Sequence, residues 1–194
     1  MTSLRHTTDI PPEVLDAVRN SVLAVGVRRT TLTDVARRAG VSRMTLYRLV
    51  PDVETLLLEL MTRELGALLA DVEAGAARRR TARSRLVASM VGVARRLPEE
   101  PLFRRILDVD PELLLPYLTD RLGATQRIGL GHLRRVIAEG HADRSVRRGD
   151  LDVMALSLLV MVTAAVVSAR LLDVVGRDAS LRELERGLDG WLQP

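Results

Sequence analysis

The chain has 194 residues, 47% of them hydrophobic and 28% charged, enough for one large domain or two small ones and too apolar for wholesale disorder. It contains no cysteine, which excludes disulfides, zinc ribbons and thiol nucleophiles together. All 29 basic residues are arginine and the net charge is +4, a balance that permits a polyanionic partner without demanding one.

The N-terminal stretch MTSLRHTTDIPPE lacks the apolar segment of a secretory signal, so a cytoplasmic protein is expected. Residues 11–25 place Leu15, Val18, Val22 and Val25 on one face, between Pro11–Pro12 and Gly26. Proline at the start and glycine past the end is the asymmetry of a helix. A second helix is predicted from Leu32 to Ala39, with Thr31 as N-cap and Asp34 three residues on. Gly40 supplies a left-handed turn, and Ser42 caps a third helix that ends near Leu49. Pro51 breaks that helix, and Asp52 caps a long fourth one over 53–74 with Leu57, Met61, Leu65, Leu68 and Val72 on its apolar face. The stretch EAGAARRR that follows marks a boundary.

Beyond it, Leu86, Met90, Val93 and Leu97 share a helix face that Pro98 ends, and a short helix occupies 101–108. Residues 112–139 are helical in period but contain Pro116, Gly123, Gly129 and Gly131, so a kink or break is expected. The run 153–169, VMALSLLVMVTAAVVSA, has 17 residues, at the bottom of the roughly 17–25 that span a membrane. Ser157, Thr163 and Ser168 interrupt it, so a helix buried by protein within 151–175 is the better reading. The last helix is predicted over 180–192, with Ser180 as cap, Glu183 completing a capping box, and Leu181, Leu184, Leu188 and Trp191 on one face. Strand patterns are nearly absent. The fold expected is all-α, with about nine helices.

Helices two and three, joined by a glycine turn of about three residues, make a helix-turn-helix pattern. Ala36 is small where the helices cross, and Val41 and Leu46 point inward. Arg43, Met44, Thr45, Tyr47 and Arg48 are left on the outward part of the third helix, the part that fits a major groove. Residues 28–48 hold Arg28, Arg29, Arg37, Arg38, Arg43 and Arg48 against Asp34 alone, a local charge of +5. Two packed helices with a solvated basic face would show much of the same pattern.

Over residues 30–57, TTLTDVARRAGVSRMTLYRLVPDVETLL resembles the DNA-binding signature of TetR-type transcriptional regulators. The resemblance implies a three-helix DNA-binding domain, residues 1–52, and an effector-binding and dimerisation domain, 53–194, with 53–74 as the connecting helix. It implies a homodimer, paired through 151–175 and 180–192, on a pseudo-palindromic double-stranded operator. Arg43, Met44, Thr45 and Arg48 fall where the family reads bases or nearby backbone, Tyr47 and Thr31 where it touches phosphates, and Ser42 caps the reading helix. One position departs from the pattern. Many members open the fourth helix with a phosphate-binding lysine where this chain has Val53, so that contact is lost or is made by the free N–H groups of the helix start.

No other constellation competes. His6, His132 and His141 lack metal-ligand spacing, so no metal or cofactor is expected. Gly129-x-Gly131 follows no strand and is no dinucleotide loop. No nucleophile triad or carboxylate pair points to an enzyme. The arginines of RRRTARSR, residues 78–85, and Arg144, Arg147 and Arg148 read as solvated loops. Resemblance and composition together place a pocket for a small apolar effector in the C-terminal half, with Leu86, Met90, Phe103, Ile106, Leu107, Ile128 and the polar candidates Tyr117, Gln126 and His132. Two alternatives stand beside a repressor: an effector-independent activator, and a helical small-molecule or partner-binding protein with a degenerate reading head.

Overall fold

A computed structural model describes residues 10–194, so the reading of the N-terminal stretch, His6 included, lies outside the described residues. No strand occurs among them. Eleven α-helices run in the order α1 (Pro12–Val25), α2 (Leu32–Ala39), α3 (Arg43–Leu49), α4 (Val53–Ala76), α5 (Ala82–Arg96), α6 (Pro101–Val109), α7 (Leu115–Thr119), α8 (Ala124–Ala142), α9 (Leu151–Val167), α10 (Ala169–Leu172) and α11 (Arg177–Leu192). Two of the nine expected helices are each divided. The region 112–139 breaks at 120–123 into α7 and α8, and 151–175 yields α9 and the single turn α10. Gly129 and Gly131 do not interrupt α8.

The helix starts follow from local chemistry. Thr31, Ser42 and Asp52 each accept the backbone N–H three residues on, from Asp34, Thr45 and Thr55. Each such cap contributes about 1 kcal/mol. Gly40 takes φ +70°, where a Cβ would clash with its own backbone, and so turns the chain between α2 and α3. Ser180 is not a cap. Gly176, at φ +93°, starts α11 a turn earlier, Arg177 pairs back onto Asp173, and the Ser180 hydroxyl donates to Leu172 O at 2.9 Å from inside the helix. Val25, expected inward, sits on the exposed side of the last turn of α1.

Two apolar cores result. The first, here the head, gathers Val14, Val18 and Val22 of α1, Val35 and Ala36 of α2 and Leu46 of α3 around Leu56, Leu57 and Leu60 from the first turns of α4. The second, the body, packs α5, α8, α9 and α11 through Leu86, Ile137, Leu158, Leu181 and Leu192, all essentially unexposed. Each such leucine or isoleucine contributes roughly 1.5–3 kcal/mol by leaving water. Two helices belong to both cores. Met61 of α4 packs against each, and α6 gives Leu102 and Ile106 to the head but Phe103 to the body. With 24 residues, α4 extends roughly 36 Å and carries its far end well away from α3. No described helix is long and apolar enough to cross a membrane.

Candidate functional site

Leu46 anchors α3 in the head with no exposure, which fixes the opposite face of this seven-residue helix toward solvent. Arg43, Met44, Tyr47 and Arg48 all stand on that face, with Met44 72% and Tyr47 54% exposed. Both large side chains stand in solvent beside the exposed Arg43 and Arg48. Thr45 is half-buried, its hydroxyl 2.8 Å from Ser42 Oγ, so both groups serve the helix start. Thr31 is exposed at the start of α2 while its hydroxyl accepts from Asp34 N–H.

The charge around this face differs from the simple count. Asp34 accepts Arg38 Nε at 2.7 Å, an Arg37 guanidinium nitrogen, and the hydroxyl of fully buried Ser21 at 2.9 Å. Those bonds, Arg38 first, hold its carboxyl well below the usual carboxylate range. Arg28 turns away toward Asp110 and Glu112. Arg29, Arg43 and Arg48 are left with no ion pair to a described residue. Exposed pairs hold by only about 0–1 kcal/mol, so an approaching phosphate competes with Asp34 for Arg37 and Arg38. At the start of α4, Asp52 Oδ1 accepts Thr55 N–H at 2.7 Å and places a negative charge beside Val53. That charge would oppose a phosphate approaching this helix start.

Further along, RRRTARSR is committed in part, with Arg83 on Asp189 at 3.0 Å and Arg85 on Glu139 at 2.8 Å. Arg147 is no solvated loop residue: it stacks 4.3 Å over the Trp191 ring, and its Nε donates to Trp191 O.

Between head and body lies an apolar cavity of about 200 Å³, walled by α4 to α9. Of the residues expected around a pocket, Met90, Phe103, Ile106, Tyr117, Gln126 and His132 line it. Leu86 does not: it is fully buried in the body core. Leu107 packs against that core outside the lining, and Ile128 faces solvent on α8. The reason is helical phase. The lining of α8 runs through Gln126, Gly129 and Leu133, and Ile128 is one residue, roughly 100° of rotation, off that line. The sequence reading missed the contribution of α4 (Met61, Leu65, Leu69, Glu73) and of α9 (Leu159, Val162, Val166). Glu73, an acid that continues the apolar line of α4, was the available signal.

His132 of α8 is among the polar residues that line this wall. His132 Nδ1 stands 2.6 Å from Glu73 Oε1, and Arg135 bridges to the other Glu73 oxygen at 3.3 Å. Burial is the main influence on the ring and lowers its pKa, against the opposing pull of Glu73. Gln126 is engaged by the protein itself, accepting Gly123 N–H at 2.7 Å and donating to Tyr117 O. Among the described residues no three His, Asp or Glu side chains are grouped as metal ligands.

The cavity is joined to the head through the end of α6. Ile106 is on the wall, and one turn later Asp110, only 2% exposed, accepts the Val27 N–H at 2.9 Å. Its other oxygen lies 3.5 Å from Arg28 Nε. A Cβ on Gly26, at φ +84°, would stand 3.2 Å from Asp110 Oδ2, so only glycine allows this approach without strain. The sequence offered no pointer to this contact.

Comparison with known proteins agrees with this architecture. The model for bacterial regulatory proteins of the tetR family matches residues 14–60, which are α1 to α3 and the start of α4. An uncharacterized HTH-type transcriptional regulator of Mycobacterium bovis is 33% identical over 95% of this chain and 95% of its own length. A Mycobacterium tuberculosis regulator of the same description is 32% identical with the same coverage. Among solved structures, the TetR-family repressor QsdR of R. erythropolis superposes with a TM-score of 0.68 at 17% identity, over 92% of each chain. The regulator FadR of Bacillus subtilis, solved in complex with stearoyl-CoA, gives 0.63 at 15% identity, over 93% of this chain and 98% of its own. The chain belongs to the TetR family of DNA-binding, HTH-type transcriptional regulators.

Proposed function

We propose that this regulator is a homodimeric repressor that holds a pseudo-palindromic operator and is released when a small apolar effector fills the cavity. The observation that carries the reading is α6, which puts Phe103 and Ile106 on the cavity wall and Asp110 on the backbone of the head. An effector that displaces the wall by a fraction of an ångström moves the Asp110 contact with Val27, and through it α3. To change DNA affinity by 5–150-fold it need only prefer the released geometry by about 1–3 kcal/mol. A filled core would have suited an effector-independent activator; a cavity of about 200 Å³ suits the effector.

In this reading Arg43 reads a guanine by a bidentate fork, Met44 and Thr45 contact neighbouring bases, and Tyr47, Arg48 and Thr31 hold backbone phosphates. The dimer forms through α9 and α11. Its support is the stripe Val153, Leu156 and Val160 on α9, with Val153 65% and Val160 61% exposed. A contiguous apolar stripe on a surface helix gains from being covered. The solved neighbour that holds stearoyl-CoA supports an aliphatic effector for this fold.

Selection from random duplex DNA tests the reading. The expected product is a two-fold symmetric site with half-sites about one helical turn, roughly 34–36 Å, apart or a multiple of it. A single half-site, or no enrichment at all, would overturn the dimeric operator; the latter outcome would leave a ligand-binding protein with a degenerate head.

A further inference from the structure

The wall of the cavity is uneven. Leu57 from α4, Met90 from α5, Ile106 from α6, Leu133 from α8 and Val162 from α9 are all buried as they line it. The stretch between α6 and α8 is different. Residues 111–122 give Leu113, Leu114, Tyr117 and Leu118 to the lining, yet no residue of this strap is buried. It consists of a single 3-10 turn (Pro111–Leu113), the five residues of α7 and the irregular chain that follows, with no helix long enough to stand by itself.

Among the described residues, two hydrogen bonds tie the strap to other elements. At the near end Glu112 accepts the guanidinium of Arg28, in the loop between α1 and α2. At the far end Gln126, in the first turn of α8, donates to Tyr117 O. An exposed ion pair and one amide hydrogen bond are weak ties. Segments with few buried contacts are the ones that open locally while the rest of a fold stays closed. Leu118 of the strap and Leu58 of α4 both line the cavity and reach solvent, which puts its rim at these two side chains. The Tyr117 ring rests on Gly123, where a Cβ would stand 2.9 Å from its Cδ1. Gly123 has an ordinary backbone, φ −78°, so alanine there strains this contact and not the chain.

We propose that residues 111–122 are the gate of the cavity: the strap moves away from α4 to admit the effector, with Asp110 and Gly123 as its fixed ends and the bonds at Glu112 and Tyr117 O as its latches. Only the purpose of the gate rests on the effector reading above. The chain has no cysteine, so a single introduced thiol reports on its surroundings. Ser89→Cys places one on the α5 wall, where Ser89 is buried, and Ala155→Cys places another in the body core outside the lining. Each full-length variant is treated with monobromobimane, a neutral reagent that fluoresces on reacting with a thiol, and the labelling rate is read. Gly123→Ala displaces Tyr117 and should speed labelling at Ser89→Cys about tenfold. Glu112→Ala should speed it about two- to fivefold. Labelling at Ala155→Cys should change with neither. Rates at Ser89→Cys that neither substitution moves, no labelling there at all, or equal acceleration at both positions overturns the gate. None of these outcomes involves an effector, so a failed gate leaves the effector reading standing; that reading falls if no apolar ligand alters DNA affinity.

Discussion

The head is filled inside and bears large exposed side chains on one outer face, whereas the body keeps open space inside. Val14, Val18, Val35 and Leu46 are wholly buried, while Met44 and Tyr47 on the other side of α3 stand in solvent. In the body, α4 to α9 close around unfilled space, and His132 is part of its wall. One helix, α4, lives in both regimes. Leu56 and Leu60 complete the head, and Leu65, Leu69 and Glu73, further along, wall the cavity. A recognition surface needs a rigid back, so its helices are short, capped and tightly packed. A site that must take up a ligand and respond keeps room, which costs packing energy.

Substitutions can pull this contrast apart, beginning with the largest. Leu46→Ala empties the centre of the small head and should destabilise it by about 2–5 kcal/mol. DNA binding should vanish while the helices of the body still melt cooperatively; loss of both together by circular dichroism would mean that the two cores are one unit. Asp110→Ala leaves the buried Val27 N–H without its acceptor, at about 1–3 kcal/mol. The expected signature is DNA binding that no longer responds to a cavity ligand, with Asp110→Asn restoring part of the response.

On the recognition face the effects separate by kind. Arg43→Ala should relax preference at one base pair per half-site, by about 1–3 kcal/mol in competition assays. Tyr47→Phe should instead weaken all sequences alike. The same uniform loss from both would refute the division into reader and anchor. Ser42→Ala removes the cap of α3 and should lower the stability of the head by about 1 kcal/mol, read from its denaturation midpoint.

The smallest effect is in the body. Folding lowers the pKa of His132 below its ordinary 6.5, so the folded state binds that proton more weakly than the unfolded chain. The stability this ring contributes is fully present above pH 6.5 and is lost as the pH falls through the lowered folded value. Denaturation midpoints measured from pH 7.5 downward should decline over that interval, and His132→Gln should flatten the decline.

The same contrast governs what could be read from sequence. Thr31, Gly40, Ser42 and Asp52 were legible because each acts on backbone within three residues of itself, so the head follows from local pattern. Ser180 shows the limit even there. Its box with Glu183 is a valid pattern, but the Gly176 turn and the Arg177–Asp173 pair start the helix earlier. The cavity was legible only as composition. Whether Leu86, Leu107 or Ile128 faces it depends on the rotation of each helix against its neighbours, which tertiary packing sets. Asp110 was illegible because its partner lies 83 positions away, at a backbone N–H that any residue other than proline supplies.

The central claim is that the exposed face of α3 grips DNA specifically. Fluorescence anisotropy of the purified protein on duplex DNA from around its own gene, against unrelated competitor and at two salt concentrations, tests it most directly. The account predicts tight binding that resists the competitor and weakens steeply with salt, because phosphates supply much of the affinity. If that DNA and DNA selected from random pools both bound as weakly as the competitor, Met44, Tyr47 and the arginines beside them would be surface and nothing more.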